Sequence, residues 1–193
     1  MLALYITLGA IALVVVWVIL WVIFAYNGFV RLVNHAKEAW SDIDIQLKRR
    51  YDLIPNLVNT VKGYAAHEQG TLEKVLEARA KATQITVNST DDLKNFSQAQ
   101  GELSQALGRL MAVSENYPEL KANQNFLALQ NELTDTENKI QAARRFYNSN
   151  VKDLNISIEI FPGNMIAKMF GFQKMSLFET DSAAERQNVE VKF

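Results

Sequence analysis

Three carboxylates stand close together in the stretch ELTDTENK, at Glu132, Asp135 and Glu137. Carboxylates on facing helices bind the metals of di-iron bundle proteins, but those proteins also use Glu-x-x-His pairs, which this sequence lacks. Its two histidines, His35 and His67, lie too far apart on one predicted helix to share a metal ion. The chain has no cysteine, which excludes disulfides and thiolate zinc sites. We therefore expect neither a metal nor another cofactor.

Motifs of known enzyme classes are also missing from the sequence. It contains no HExxH, no glycine-rich phosphate loop and no G-x-S-x-G. The formal net charge of -1 argues against a nucleic-acid partner, because phosphate contact needs a basic surface. We expect a protein that is not an enzyme. The alternative is an enzyme with an unrecognised carboxylate and tyrosine site inside a helical bundle.

Three consecutive cations, Lys48, Arg49 and Arg50, begin the stretch KRRYDLIP. Apolar residues recur every seven positions through this region, at Trp40, Leu47, Ile54 and Val61, which predicts a coiled-coil-like seam. Arg50 falls on the seam and needs a carboxylate partner if it is buried, whereas Lys48 and Arg49 point outward. The alternative interpretation is a cationic patch that docks a partner.

Pro55 lies inside the same repeat. It lacks an N–H, and its ring presses on the carbonyl of Tyr51, so we expect it to bend the helix while the seam continues. A structural kink and a mobile functional hinge are both compatible with this pattern.

The elements that must position these residues are helices. Only Pro55, Pro118 and Pro162 interrupt the chain, and apolar residues between them recur at intervals of three and four. The expected fold is all-α: an N-terminal transmembrane helix, then an elongated antiparallel bundle of about four helices. An antiparallel return of the last long helix places Asp44 beside Arg144, and Arg50 with Tyr51 beside Glu137.

Residues 2–26 carry no charged side chain, and about 20 apolar residues suffice to cross a bilayer core. We interpret this run as a transmembrane helix rather than a cleaved signal peptide, because no cation precedes it and it is long for such a peptide. The basic residues after the run, beginning with Arg31 and Lys37, predict an outside N-terminus and a cytoplasmic body.

The segment after Pro162, MIAKMFGFQKMSLF, is unusually apolar. Its larger apolar residues are expected on one face of a short helix: Met165, Ile166, Met169, Phe170 and Phe172. This face either closes the base of the bundle or contacts the membrane or a partner. The predicted organisation is an anchor at 1–28, a bundle at 29–162, a membrane-proximal segment at 163–178 and a polar tail at 179–193. The final VEVKF alternates like a strand.

Three long segments resemble the LemA family of bacterial membrane proteins. They are AWSDIDIQLKRRYDLIPNLVNTVKGYAAHE, SENYPELKANQNFLALQNELTDTENKIQAARRFYN and FPGNMIAKMFGF. The resemblance covers nearly the whole chain. It implies a single-pass protein with an outside N-terminus and a helical cytoplasmic domain, and it implies no particular activity.

The resemblance also bears on partners. Relatives occur beside membrane metalloprotease genes and in magnetosome gene sets, which implies a role in envelope or organelle maintenance. We expect a membrane-anchored scaffold or adaptor that spans the lipid bilayer through residues 2–26 and associates with its own copies. A membrane protein such as a metalloprotease is the second expected partner.

Overall fold

The computed structural model describes residues 1–87 and 90–178. Its six helices are α1 (Leu2–Tyr64), α2 (Gln69–Gln84), α3 (Thr90–Ser114), α4 (Pro118–Lys121), α5 (Gln124–Glu159) and α6 (Gly163–Phe170). No strand occurs in the described part of the chain, so the predicted all-α class is confirmed. The predicted tail at 179–193, with its VEVKF strand, lies outside the described residues.

Helix α1 joins the predicted membrane span and the first bundle helix in one element. It passes through Pro55 and ends at Tyr64. Proline removes only one helical hydrogen bond, and the apolar seam on both sides of it is buried, so packing holds the helix together across the defect. Leu47, Ile54 and Val61 are all buried along this seam.

Two residues begin new helices between α3 and the end of the bundle. Pro118 begins the single turn α4, where its missing N–H has no cost. Asn123 then caps α5: its side-chain Oδ1 accepts the backbone N–H of Phe126 at 3.0 Å. In the described residues, α4 is thus an addition to the four expected bundle helices, while α6 corresponds to the short helix expected after Pro162.

The chain divides into two compact units, and α1 and α5 contribute to both. We call the first the anchor unit, formed by Met1–Trp40 and Phe146–Leu177. We call the second the bundle unit, formed by Ser41–Arg145 together with Phe178.

The anchor unit has a small core at the C-terminal end of the charge-free run. Phe29, Leu154, Ile166 and Ala167 are buried together there. Further along α1, the ring of Trp40 meets that of Tyr147 edge to face at 5.5 Å. Within this unit, α5 therefore runs antiparallel to α1.

The bundle unit holds a larger core contributed by five helices. Its fully buried side chains include Ile54, Leu57, Leu103, Leu120 and Phe126. The N-terminal end of α5 meets the C-terminal end of α1, where Asn123 Nδ2 donates to the Tyr64 hydroxyl at 2.9 Å. The helices of this unit thus form an antiparallel bundle around an apolar centre.

Candidate functional site

Arg50 is the most buried cation among the described residues of the bundle unit, with 4% of its side chain exposed. Its Nη1 lies 2.9 Å from Glu137 Oε2 on α5, the pairing that the antiparallel register predicts. Its Nη2 donates to Ser104 Oγ on α3 at 2.8 Å. One guanidinium therefore connects α1, α3 and α5.

The electrostatics of this pair are dominated by burial. Removal from water lowers the pKa of the Arg50 guanidinium, and the carboxylate of Glu137 opposes that effect. Arginine nevertheless stays protonated at physiological pH, so the bundle retains a buried positive charge that requires its carboxylate.

Tyr51 extends the polar contacts towards α3. Its hydroxyl accepts a hydrogen bond from Gln100 Nε2, and Gln100 is almost wholly buried. Burial raises the pKa of the Tyr51 hydroxyl, while the Gln100 hydrogen bond and the Arg50 charge act in the opposite direction. The neutral phenol is the stable form near pH 7, so Tyr51 is suited to hydrogen bonding rather than to acting as a base.

The backbone of Tyr51 carries a second connection, to α2. Its carbonyl is the helical acceptor for position 55, where proline supplies no N–H. Arg79 Nε on α2 donates to this freed oxygen at 2.8 Å. Sequence reasoning missed Arg79, because nothing in the spacing of a helix reveals which distant donor reaches a carbonyl.

Asp44 and Arg144 were predicted to face each other. Both act electrostatically on the Tyr51 hydroxyl, which places them around the same region of the bundle unit. The Arg144 guanidinium also lies over the ring of Phe178, 5.1 Å from its centroid. The direct pairing of Asp44 with Arg144 stays a prediction.

The carboxylates of ELTDTENK are divided among three different cations. Glu137 binds Arg50, Asp135 binds Lys139 at 2.7 Å, and Glu132 binds Arg49. Within residues 1–87 and 90–178, no three histidine or acidic side chains are grouped in a way that could hold a metal ion.

An open groove of about 480 Å³ lies between α1 and α5 in the bundle unit. Its lining combines apolar and uncharged polar side chains with one carboxylate: Leu53, Asn56, Thr60, Asn125, Ala128, Leu129 and Glu132. Arg49 reaches the groove through its ion pair with Glu132. Leu53 and Leu129 offer apolar contact, and the amides offer both donors and acceptors, a mixture suited to another protein segment.

The predicted residues of the C-terminal segment do not share one face, and that expectation was wrong. Residues one position apart differ by about 100° around a helix, so Ile166 and Met165 point in different directions. Ile166 is buried, while Met165 and Met169 are 59% and 66% exposed. Phe170 meets the ring of Tyr26 at 4.9 Å, and Phe172 lies beyond α6 with its ring 5.0 Å from that of Phe29.

The chain after α6 runs back along α5 within the anchor unit. Asn155 binds both backbone groups of Met175: its Nδ2 donates to the carbonyl at 2.9 Å, and its Oδ1 accepts the N–H at 3.0 Å. The Tyr147 hydroxyl donates to the carbonyl of Ser176 at 3.0 Å. These contacts hold the segment without regular secondary structure, and sequence periodicity offered no signal for them.

Helix α1 is the one helix in the described part of the chain that is long and apolar enough to cross a membrane. No residue of the 18-residue window that meets this criterion is buried, as expected for side chains that face lipid rather than a protein core.

Comparisons with known proteins agree with these features. The model of the LemA family matches residues 39–193. The Protein LemA of Metamycoplasma hominis is 29% identical over 165 residues, which cover 86% of this chain and 72% of that protein.

Two magnetosome proteins are also similar. Magnetosome protein MamQ of Magnetospirillum gryphiswaldense is 24% identical over 181 residues, and MamQ 2 of Paramagnetospirillum magneticum is 25% identical over 181 residues. In both cases the match covers 83% of this chain and 66% of the relative, so the chain spans about two thirds of their length. With an apolar N-terminal helix and a family match over most of its length, this membrane-associated chain belongs to the LemA family.

Proposed function

We propose that this protein is a membrane-anchored scaffold or adaptor whose bundle unit binds other proteins. The observation that carries the proposal is the α1–α5 groove, which presents Leu53 and Leu129 beside amide and hydroxyl groups. The buried Arg50–Glu137 pair joins the same two helices. A groove whose walls are connected in this way is preorganised, which reduces the entropic cost of binding.

Self-association is part of this proposal. Anchors in one membrane plane raise the effective concentration of neighbouring copies. Ile45 and Leu127 are large exposed apolar residues of the bundle unit, with 59% and 43% of their side chains accessible. Burying such residues between copies stabilises an assembly by removing apolar surface from water.

The proposed setting is the bacterial inner membrane, with the N-terminus outside and the bundle unit in the cytoplasm. Arg31 and Lys37, just beyond the charge-free run, support this orientation. Candidate partners are membrane proteins of the envelope or of an organelle, including a metalloprotease. Similarity to proteins named for the magnetosome supports the organelle setting.

Site-specific photocrosslinking in native membranes tests the groove. A crosslinking amino acid at Ala128, in the groove, is compared with one at Asn138, which is exposed on α5 outside the groove lining. We expect Ala128 to capture a discrete partner or a second copy and Asn138 not to do so. Equal crosslinking from both positions, or from neither, would count against a docking role for the groove.

The enzymatic alternative centres on Tyr51 and on the carboxylate of Glu137, which pairs with the adjacent Arg50. The raised pKa of the Tyr51 hydroxyl keeps it protonated, which disfavours a role as general base at neutral pH. Metal analysis of the purified protein separates the two proposals. Stoichiometric iron, zinc or manganese would favour an enzyme, and a metal-free protein that still captures its partner favours the scaffold.

A further inference from the structure

The outer face of α6 is apolar and exposed. Met165 and Met169 lie one helical turn apart on this face, and Phe161, just before the helix, is 78% exposed. The opposite face is seated in the anchor unit through Ile166 and Ala167, which are buried. Helix α6 is thus held firmly on one side while it displays large apolar side chains on the other.

The position of α6 along α1 indicates its depth in a bilayer. The cluster that buries Ile166 and Ala167 includes Trp21 and Ala25 of the charge-free run, and the ring of Phe170 meets that of Tyr26. The interval from Trp21 to Tyr26 rises by about 8 Å. A 25-residue run rises by about 37 Å, more than the ~30 Å hydrocarbon core, so its last residues reach the interfacial zone. The residues of α1 against which α6 packs therefore lie in the interfacial zone.

We propose that α6 is an interfacial helix whose outer face, formed by Met165 and Met169, inserts together with the preceding Phe161 into the lipid surface where α1 leaves the membrane. Interfacial helices bury an apolar face about 5–10 Å into the boundary between headgroups and acyl chains, which matches the depth of this seat. Lys168 is exposed beside Met169, and its cation can reach lipid phosphates.

Continuity with the span is the reason to assign lipid as the occupant. Phe24 is 70% exposed, so lipid-facing side chains of α1 occur at the same level as α6. A helix seated there meets the bilayer surface before any soluble partner. This inference rests on the membrane association of the chain and is independent of the scaffold role.

The sequence contains no cysteine, so a single introduced cysteine can be labelled specifically to measure the depth of α6 in the bilayer. Met165→Cys and Met169→Cys are each labelled with an environment-sensitive fluorophore in the full chain, reconstituted in vesicles of phosphatidylcholine and phosphatidylglycerol. The matched control is Ser149→Cys, exposed on α5 two residues from Tyr147. Tyr147 contacts Trp40. Trp40 lies 14 residues beyond Tyr26, or about 21 Å further along α1, so the control label lies well away from the level of α6. Quenchers attached to lipid acyl chains and a water-soluble quencher are compared at all three positions.

We expect lipid-borne quenchers to act several-fold more strongly on the labels at 165 and 169 than on the label at 149, with the reverse order for the water-soluble quencher. Quenching at 165 and 169 that equals the control in both assays would overturn the proposal. Protection of these two positions from both quenchers would also overturn it, because a second copy or another protein would then cover the face. Replacing phosphatidylglycerol by phosphatidylcholine identifies any contribution of anionic headgroups.

Discussion

At the scale of single residues, the buried charge on Arg50 determines which substitutions destabilise the bundle unit. The guanidinium is 4% exposed, while its partner Glu137 is 35% exposed and can still reach water. Removing the carboxylate leaves a buried cation without its counter-charge. Such a loss costs much more than the pair itself contributes, because the remaining group carries an uncompensated desolvation penalty.

We therefore expect Glu137→Ala to lower the free energy of unfolding by about 3 kcal/mol. The control is Glu132→Ala, whose partner Arg49 is 47% exposed, and its cost should stay below about 1 kcal/mol. Denaturant unfolding of the full chain in mild detergent, followed by far-UV circular dichroism, measures both values. Equal effects of the two substitutions would contradict the importance of burial at Arg50.

Tyr51→Phe removes the oxygen that accepts the N–H of buried Gln100, and we expect a loss of about 1–3 kcal/mol in unfolding free energy. Tyr64→Phe is the control, since Tyr64 is 41% exposed and its hydroxyl accepts an exposed hydrogen bond from the side-chain amide of Asn123. The control should change stability little. A Tyr51→Phe variant as stable as the parent would show that the hydrogen bond contributes nothing.

The same variant has a pH signature. Burial raises the pKa of Tyr51 in the folded state above its unfolded value of about 10. The stability that the neutral hydroxyl contributes is therefore present below about pH 10 and is lost as the pH rises through the folded pKa. The difference in stability between parent and Tyr51→Phe should shrink above pH ~10. A difference that stays constant to higher pH would contradict this linkage.

At the scale of elements, Pro55 and Arg79 form a coupled pair across two helices. The proline frees the carbonyl of Tyr51, and Arg79 supplies the missing donor. The sequence alone predicted that α1 lacks a hydrogen bond at Pro55, but not that a donor from α2 replaces it. In physical terms, the missing N–H at Pro55 is a local property of the sequence, whereas the donor that replaces it depends on how α2 packs.

A double-mutant cycle tests this coupling. Arg79→Met should cost about 1 kcal/mol in unfolding free energy, because it orphans a carbonyl while keeping an apolar stem. In a Pro55→Ala background the new N–H bonds to Tyr51, so the same Arg79→Met change should cost less. Lys81→Met, which breaks an exposed ion pair, serves as control for lost charge on α2. Additive effects of the Pro55 and Arg79 changes would exclude the coupling.

The close packing of α6 against α5 depends on Gly163. A Cβ at this position would lie 2.5 Å from the backbone carbonyl oxygen of Ser157 and 3.5 Å from Phe29 Cζ. A backbone atom cannot move aside as a flexible side chain can. Gly163→Ala should therefore displace α6 and lower the thermal midpoint of the full chain, measured by tryptophan fluorescence. All three tryptophans lie in the anchor unit.

The matched substitution is Gly101→Ala on α3, where an added Cβ meets nothing within 4 Å. Alanine favours helix over glycine by about 1 kcal/mol, so this variant should be as stable as the parent or more so. If Gly163→Ala behaved like Gly101→Ala, α6 would not depend on close approach to α5.

At the scale of the whole molecule, the proposed self-association predicts assemblies of more than one copy. Residues 2–26 hold neighbouring chains in one plane, which favours weak contacts between their exposed apolar side chains. We expect particles larger than one chain in mild detergent, measured by light scattering or mass photometry over a range of concentrations. A strictly monomeric particle at every concentration would contradict self-association.

The sequence by itself determined the elements that local chemistry controls. The charge-free run and the 3–4 apolar repeat predicted an all-helical chain with an N-terminal span. The seven-residue repeat placed Arg50 on the seam, and an antiparallel return was enough to identify Glu137 as its partner. These inferences succeed because helical periodicity and charge burial depend on residue type and spacing alone.

Tertiary structure decided the contacts that depend on how closely two helices or segments approach each other. It assigned Arg79 to the Tyr51 carbonyl and Asn155 to the backbone of Met175. It also divided α6 between the buried Ile166 and the exposed Met165, although both residues are apolar. The hydrophobicity of a side chain indicates that it is stabilised by leaving water, but it does not indicate whether protein or another surface will cover it. The side of α6 that became core was selected by the space beside Phe29 and Leu154, which exists only after α1 and α5 have packed.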